Sequence, residues 1–419
     1  MSGPDTPETL HLLVYGSLDA GVTDTLRIGA FVEPLRELGV EVRSWQSFAG
    51  DVLNGGAGEG MAGGSGAVSR SQAARPDAAE LRAAGLVGLA WADAILFRRW
   101  RSTHPICTEC EARFAGPPEL AAHARTTGHR SLTPDPLLRP MVELLVTHPE
   151  LLGGRPIVYD ADDDVLDYPA WTGLGGAAAR ERDVILRLLA MANLVTVATP
   201  VLAERLRAHT RAPMRVIRNA LDPEWYTAEA SPAAAPHPVR VLYHGVPVRL
   251  RDYEVARPAV DRLAAEMPIR RIWLGAGHEP RVVAAVDEAL PWVDGPHRFA
   301  AALVAARPDI GLAPLLDEPF NRAKSELHWI EYALAGAATV ASAFTGAGPY
   351  DVIRDGVDGL LARDSAAWES HLRRVVASGG LRSEIAAAAL ERVRAEYALA
   401  VRAPEWADAY RSAASGIPI

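Results

Sequence analysis

The sequence predicts an α/β protein built from two Rossmann-like domains that face a cleft. Three observations carry this. Short apolar, β-rich runs alternate with amphipathic helical stretches along nearly the whole chain; the alternation falls into two series; and a proline-rich segment separates them. The first series places strands at 10–17, 40–45, 94–100, 156–162, 194–199 and 214–219, with helix-like stretches such as 25–38 and 180–192 between them. The second places strands at 240–245, 269–275, 309–315, 338–342 and 359–362. Apolar strands alternating with helices are what a parallel sheet covered on both faces requires. The separating segment 231–238 reads SPAAAPHP, with three prolines in eight residues, a semi-rigid linker and a natural domain boundary. The expected units are therefore 1–230, with an insert at 104–130, then 238–395, and a tail at 396–419. The stretch 383–415 reads as helical. Ligands in such sheets lie beyond the C-terminal ends of the strands, so functional residues are sought there.

Composition sets the class. The 419 residues are 49% hydrophobic and 23% charged, the profile of a soluble globular protein. A net charge of -9 argues against bulk nucleic-acid binding through phosphate neutralisation. Two cysteines three positions apart make no disulfide framework and point to a reducing cytoplasm. The first residues lack the basic-then-apolar pattern of a signal peptide. The longest uncharged stretch, 188–203, falls short of the ~18–20 apolar residues of a membrane span and reads as a strand between helices. The glycine-rich run 54–66 is too irregular for a phosphate-binding fingerprint and reads as a surface loop.

Of 43 basic side chains one is lysine, Lys324. A chain so biased to arginine has kept a compact ammonium at one position, and lysine and arginine are not interchangeable there. Lys324 follows the strand 309–315, and the spacing predicts a helix starting near Ala323, with Lys324 and Ser325 in its first turn. Free backbone N–H groups and the helix dipole favour an anion there; lysine prefers the other helix end, so its placement calls for a compensating negative charge such as a diphosphate. On that helix Lys324, His328 and Glu331 fall within about 60° of one another, while Leu327, Ile330 and Leu334 form an adjacent apolar stripe. This face reads either as a solvated polar stripe or as a binding face on which Glu331, two turns on, accepts hydrogen bonds from a ribose diol.

The first strand of the second series ends in His244-Gly245, followed by Arg249 and Arg251. Glycine after a strand lets a ligand approach the backbone, and either arginine could pair with phosphate oxygens. In the first half, the strand 156–162 runs into Asp160-Ala-Asp162-Asp163-Asp164. This run reads as a metal-binding Asp-x-Asp, as a helix cap, or as the acceptor side of the cleft, with Asp162 or Asp163 orienting or deprotonating an acceptor. Asp19 and the loop 16–21 are further candidates for the same cleft.

Together the motifs resemble those of GT-B glycosyltransferases, in particular family 4-like enzymes. The resemblance is strongest over DIGLAPL at 309–315 and PFNRAKSELHWIEYALAG at 319–336, and extends to YDVIRDGVDGLL at 350–361 and to 158–164, 195–200 and 216–219. It implies a nucleoside-diphosphate-sugar donor bound by the second domain, with Lys324 on the diphosphate and Glu331 on the ribose, and a retaining outcome. Two positions depart from the family pattern: Ala323 stands where many members have a glutamate eight residues before the ribose one, and Arg249 where related sequences often have histidine. Glycosyl transfer passes through an oxocarbenium-like state while negative charge builds on the leaving diphosphate. Lys324, Arg249 and helix-start N–H groups would supply the opposing charge, so this chemistry requires no metal. In the other glycosyltransferase fold an Asp-x-Asp holds manganese; here the aspartates lie in the first half, away from the expected diphosphate. The resemblance also implies that the C-terminal tail crosses back to brace the first domain, with Trp406 and Tyr410 as anchors.

A second motif lies in the first half. Cys107-x(2)-Cys110-x(3)-Phe114-x(5)-Leu120-x(2)-His123-x(5)-His129 has the spacing and both core hydrophobes of a ββα zinc finger. Such a unit has no sufficient core of its own and takes its folding energy from a structural zinc. The base-reading helix positions of that fold fall on Gly116, Glu119 and Ala122, and none reads bases well. Between His104 and His129 three acidic side chains face two basic ones. DNA recognition is thus disfavoured against a structural insert, a cleft wall or a protein contact. Four readings follow: a nucleotide-sugar-dependent glycosyltransferase with an unspecified small-molecule or glycan acceptor; the same chemistry on hydroxymethylated DNA; a nucleotide-sugar epimerase; and a non-catalytic adaptor on a transferase fold.

Overall fold

The computed structural model describes residues 9–15, 27–45, 47–48, 86–98, 106–107, 131–132, 138–169, 171, 175–227, 238–275, 279–293 and 295–416. The loop 16–21 with Asp19, the glycine-rich run, most of the proline-rich linker, and the finger residues Cys110, His123 and His129 lie outside them.

Two six-stranded parallel sheets form the framework. The first takes β1 (Leu10–Tyr15), β2 (Val40–Ser44), β3 (Ala94–Arg98), β6 (Ile157–Ala161), β7 (Leu194–Val197) and β8 (Met214–Val216), in the order β2-β1-β3-β6-β7-β8. Cys107 enters a two-residue strand, β4 (Ile106–Cys107), paired antiparallel to β5 (Ser131–Leu132). This short ladder closes the two ends of the insert that follows β3. The second sheet takes β9 (Val239–His244), β10 (Ile269–Leu274), β11 (Glu288–Leu290), β12 (Ile310–Ala313), β13 (Ala338–Ser342) and β14 (Leu360–Ala362), in the order β11-β10-β9-β12-β13-β14. In its own strand numbering that is 3-2-1-4-5-6, the Rossmann order, and its crevice opens where the order reverses, between β9 and β12. β3, β6, β7, β12 and β13 are buried along their whole length, as strands covered on both faces must be.

Helix boundaries differ from the sequence expectation in three places. The stretch 25–38 is not one helix: a 3-10 turn at Gly29–Phe31 precedes the helix Val32–Glu37. The stretch 383–415 is two helices, Gly379–Glu396 and Leu399–Ser415. They part where Leu221 N–H bonds Tyr397 O and Leu399 N–H bonds Leu221 O, at 3.1 Å each. The backbone there leaves its helical partners for the chain after β8. Beyond this crossing, Trp406 and Tyr410 are buried in one core with Leu12, Val14 and Phe31 of the first half. Third, the predicted helix from Ala323 is replaced by two helices. α1 (Pro319–Arg322) starts early because Pro319 sits at its first turn, and α2 (Leu327–Leu334) starts late. Lys324 and Ser325 therefore occupy the bend between them, ahead of the α2 terminus rather than inside its first turn.

α2 is seated over the crevice by Tyr332. Its hydroxyl shares one hydrogen between Leu242 O of β9 (3.2 Å) and Leu312 O of β12 (3.0 Å), spanning the switch point. The ring lies directly on Gly311, where an added Cβ would stand 2.2 Å from Tyr332 Cγ. Gly311→Ala is thus expected to destabilise the fold by about 1–3 kcal/mol through overpacking, read as a lower urea midpoint at unchanged slope; an unaltered midpoint would contradict this seating. Among the described residues no helix is long and apolar enough to cross a membrane.

Candidate functional site

The bend 323–326 is held by the first half of the molecule. Thr199 Oγ1, after β7, donates to Ala323 O (2.9 Å). Asn219, after β8, donates to Ser325 Oγ (2.8 Å), and Arg218 to Glu326 Oε1 (3.0 Å). Ala323 packs into the first half's core. These contacts, made from the C-terminal ends of β7 and β8, explain why the helix breaks here: the carbonyl of Ala323 and the side chains of Ser325 and Glu326 answer to the opposite domain. Burial raises the Glu326 carboxyl above its ordinary range, against the opposing pull of Arg218.

Lys324 lies in the cleft, its side chain 16% exposed, with Nζ 3.1 Å from Asp163 Oδ1 and 4.6 Å from the Phe320 ring centre. The lone lysine and the aspartate run therefore meet, one from each domain. Around them an aromatic wall closes the cleft: Tyr168 and Trp171 of the first half pack on Phe320 at 5.4 and 6.2 Å. Trp171 also takes Arg249 and Arg251 over its ring, at 5.5 and 4.9 Å, and donates Nε1–H to Glu318 (3.3 Å).

The other aspartates of the run have separate tasks. Asp160 is fully buried; Arg27 Nε donates to it (3.2 Å), Thr196 donates to it (2.8 Å), and Arg98 approaches at 3.4 Å. Asp162 is buried 3.6 Å from Arg98, and Asp164 pairs with Arg205. A cation stands against each of these carboxylates, so the run forms a charge-balanced base to the cleft and does not present a cluster of bare acids to a metal.

On the second-domain side, β9 delivers His244 and Gly245 to the crevice. Gly245 has φ +145°, a conformation that favours glycine, and Trp273 Nε1–H donates to its carbonyl (2.8 Å). The next turn brings Arg249, whose Nη1 lies 3.2 Å from Asp252. Burial would lower the Arg249 guanidinium pKa, but Asp252, Tyr243 and Asp163 together outweigh it and the net shift is upward, so the cation is permanent. Asp252 is itself buried and accepts from Leu316 N–H (3.1 Å) and Asn321 (2.8 Å), tying the loop after β9 to the loop after β12.

α2 presents His328 and Glu331 to the end of β9. His244 Nε2 is 3.2 Å from Glu331 Oε2, and the two imidazole rings stand 4.1 Å apart. Burial pushes His328 well below the usual histidine range, with His244, Arg249 and Lys324 adding to it, so this ring is neutral at pH 7. Among the described residues, His244 Nε2, His328 Nδ1 and Glu331 Oε2 are all buried without a hydrogen-bond partner. Each such atom costs about 1–3 kcal/mol, which marks the corner as built for something other than stability. Lys324, Arg249, Gly245 and Glu331 thus border one crevice, with Ser325 behind Lys324 on the domain seam. Asp163 reaches Lys324, while Asp162 is drawn back to Arg98. Trp171, Asp252 and His244 were not singled out from the sequence; the signal for His244 was its place directly before Gly245 at a strand end.

Comparison with known proteins agrees with this architecture. Residues 260–408 match a family model described as glycosyl transferase-like. No curated protein matches the chain in sequence. Among solved structures, the chain is similar to a sucrose-phosphate synthase from Thermosynechococcus elongatus, with a TM-score of 0.57 at 16% identity over 98% of this chain and 100% of that one. It is also similar to Anabaena HepE in complex with UDP and glucose, at 0.54 and 14% over 97% and 100%. A glycosyltransferase from Rickettsia africae matches at 0.55 and 12% over 97% and 99%. The fold is the GT-B fold. The match covers the second half from residue 260 on, including Lys324 and Glu331, and leaves out β9 and Arg249.

Proposed function

We propose that the protein transfers a sugar from a nucleoside-diphosphate sugar to an acceptor, binding the donor at the β9/β12 crevice. The observation that carries this is the gathering of the single lysine and Arg249 near His328, with Glu331 on the same helix, at the switch point of a Rossmann domain whose residues from 260 on match the glycosyl transferase-like model. Complexes of a structural neighbour with UDP and glucose, and with UDP-glucose, support the donor class. Lys324 and Arg249 take the diphosphate and oppose the charge that builds there as the glycosidic bond breaks, and Glu331 takes the ribose. Charge stabilisation comes from these cations and needs no metal at the diphosphate.

Because Lys324 already faces Asp163, an incoming diphosphate competes with Asp163 for the ammonium. Donor binding would then turn the Asp163 carboxylate toward the acceptor, which it orients or deprotonates with Asp162 adjoining. The family resemblance favours retention of configuration. A thermal-shift screen of nucleoside diphosphates tests the donor reading: one of them is expected to raise the midpoint through preferential binding to the folded state, and a flat response across uridine, guanosine, adenosine and thymidine diphosphates at millimolar concentration would count against it.

The insert between β4 and β5 is assigned a structural zinc held by Cys107, Cys110, His123 and His129. Cys110→Ser is expected to lower bound zinc by one equivalent per chain in elemental analysis; unchanged zinc content would remove the assignment.

A further inference from the structure

We propose that His244, His328 and Glu331 form a binding site for one divalent transition-metal ion, distinct from the Cys/His insert. One ring nitrogen from each histidine and one carboxylate oxygen lie within 4.8 Å of one another. The arrangement has the marks of a ligand set more than of a hydrogen-bonded pair. His244 Nε2 and Glu331 Oε2 approach to 3.2 Å, yet each is without a hydrogen-bond partner among the described residues. Two groups that shared a proton would point at each other; two that converge on a third body come close at a poor mutual angle. His328 Nδ1 is the third buried atom in the same corner without a partner. His244 and Glu331 are 4% and 3% exposed, so bulk water does not satisfy them.

The donor chemistry narrows the ion. Two imidazoles and one carboxylate suit zinc, cobalt or nickel and disfavour magnesium and calcium, which take oxygen ligands. Three protein ligands leave an open coordination position, filled by water in the free protein. The neighbouring cations do not forbid the ion, because Lys324 stands against Asp163 and Arg249 against Asp252, and Glu331 supplies the negative charge. Glu331 Oε1 remains available to a ribose, so the metal sits at the ribose end of the crevice and leaves the diphosphate to Lys324 and Arg249. The backbone fixes the set before any ion arrives: His244 ends β9, His328 and Glu331 share one face of α2, and Tyr332 clamps that helix to the strand below.

The test is cobalt titration of full-length, chelator-stripped protein carrying Cys107→Ser and Cys110→Ser, with no nucleotide present. The proposal expects one equivalent bound, with visible d–d bands and no thiolate-to-cobalt charge-transfer band. His328→Gln added to that background is expected to abolish binding, and Glu331→Gln to weaken it at least tenfold. If the cysteine substitutions prevent folding, the comparison is made in the native background, where His328→Gln alone should lower the cobalt content by one equivalent per chain. Absence of a sulfur-free cobalt spectrum, or cobalt binding unchanged by His328→Gln, overturns the proposal. Running the nucleoside-diphosphate thermal shift with and without chelator separates this outcome from the donor reading: a shift that persists in chelator leaves the donor reading standing whether or not metal binds.

Discussion

Substitution of Lys324 by Gln is expected to slow consumption of the donor sugar by about 10²–10³-fold, the loss typical of removing one fixed group that stabilises transition-state charge. The loss should fall mainly on kcat, because charge accumulates on the diphosphate as the glycosidic bond breaks and the ammonium interacts more strongly with that state than with the bound donor. Stability should fall modestly: Lys324 and Asp163 are each 16% exposed, so the variant leaves a partly buried carboxylate without this cation, at less cost than in the deep interior. Lys324→Arg should recover only part of the rate. It keeps the charge but puts a rigid planar fork where the space between Phe320 and Asp163 accommodates a compact ammonium. Steady-state assays of nucleoside-diphosphate release, alongside thermal melts, check both statements. A Lys324→Gln enzyme with wild-type kcat, or one that fails to fold, would each contradict them.

Asp160→Asn is expected to act in the opposite way, on folding. Arg27 and Asp160 are 1% and 0% exposed, and Arg98 lies against the same carboxylate. Removing one partner of a buried ion pair leaves an uncompensated charge in the interior, at a cost of about 3–5 kcal/mol. Here two guanidinium groups would lose their common counter-charge. Arg27 also donates to Ile217 O and Asn219 Oδ1 (3.3 Å) and lies over the Trp406 ring at 4.4 Å. The damage should therefore spread from β6 to the loop after β8 and to α3 (Leu399–Ser415). Denaturant unfolding is the measurement: a midpoint close to wild type would show that Asp160 is not the node of that network.

The two-sheet architecture was legible because most strands are continuous apolar runs bounded by turn residues, a pattern set by burial on both faces. The strand that escaped, β11 (Glu288–Leu290), is a three-residue sheet edge whose residues are only partly buried. Its Glu288 accepts from Arg270 and Arg240, so its composition follows charge pairing and not core packing. The candidate site was legible residue by residue but not in its junction. Lys324 and Arg249 sit beside a strand end or a turn, and Glu331 shares a helix face with His328, so local sequence carries the signal for each. The bend that carries Lys324 is imposed by Thr199, Arg218 and Asn219, more than a hundred residues upstream, and no helical periodicity encodes that. The same holds for the Lys324–Asp163 contact and for the placement of Trp171, which exist only once the domains meet.

The central claim is that Lys324 and its surroundings receive the diphosphate of a nucleotide sugar. Calorimetric titration of the nucleoside diphosphate that gives the largest thermal shift, compared with its parent nucleoside, tests this in one experiment on wild type and Lys324→Gln. A charge-assisted contact contributes about 1.5–3 kcal/mol, so the wild type should prefer the diphosphate by about 10- to 100-fold more than the variant does, with nucleoside affinity equal in the two. An equal diphosphate preference in both proteins would contradict the account.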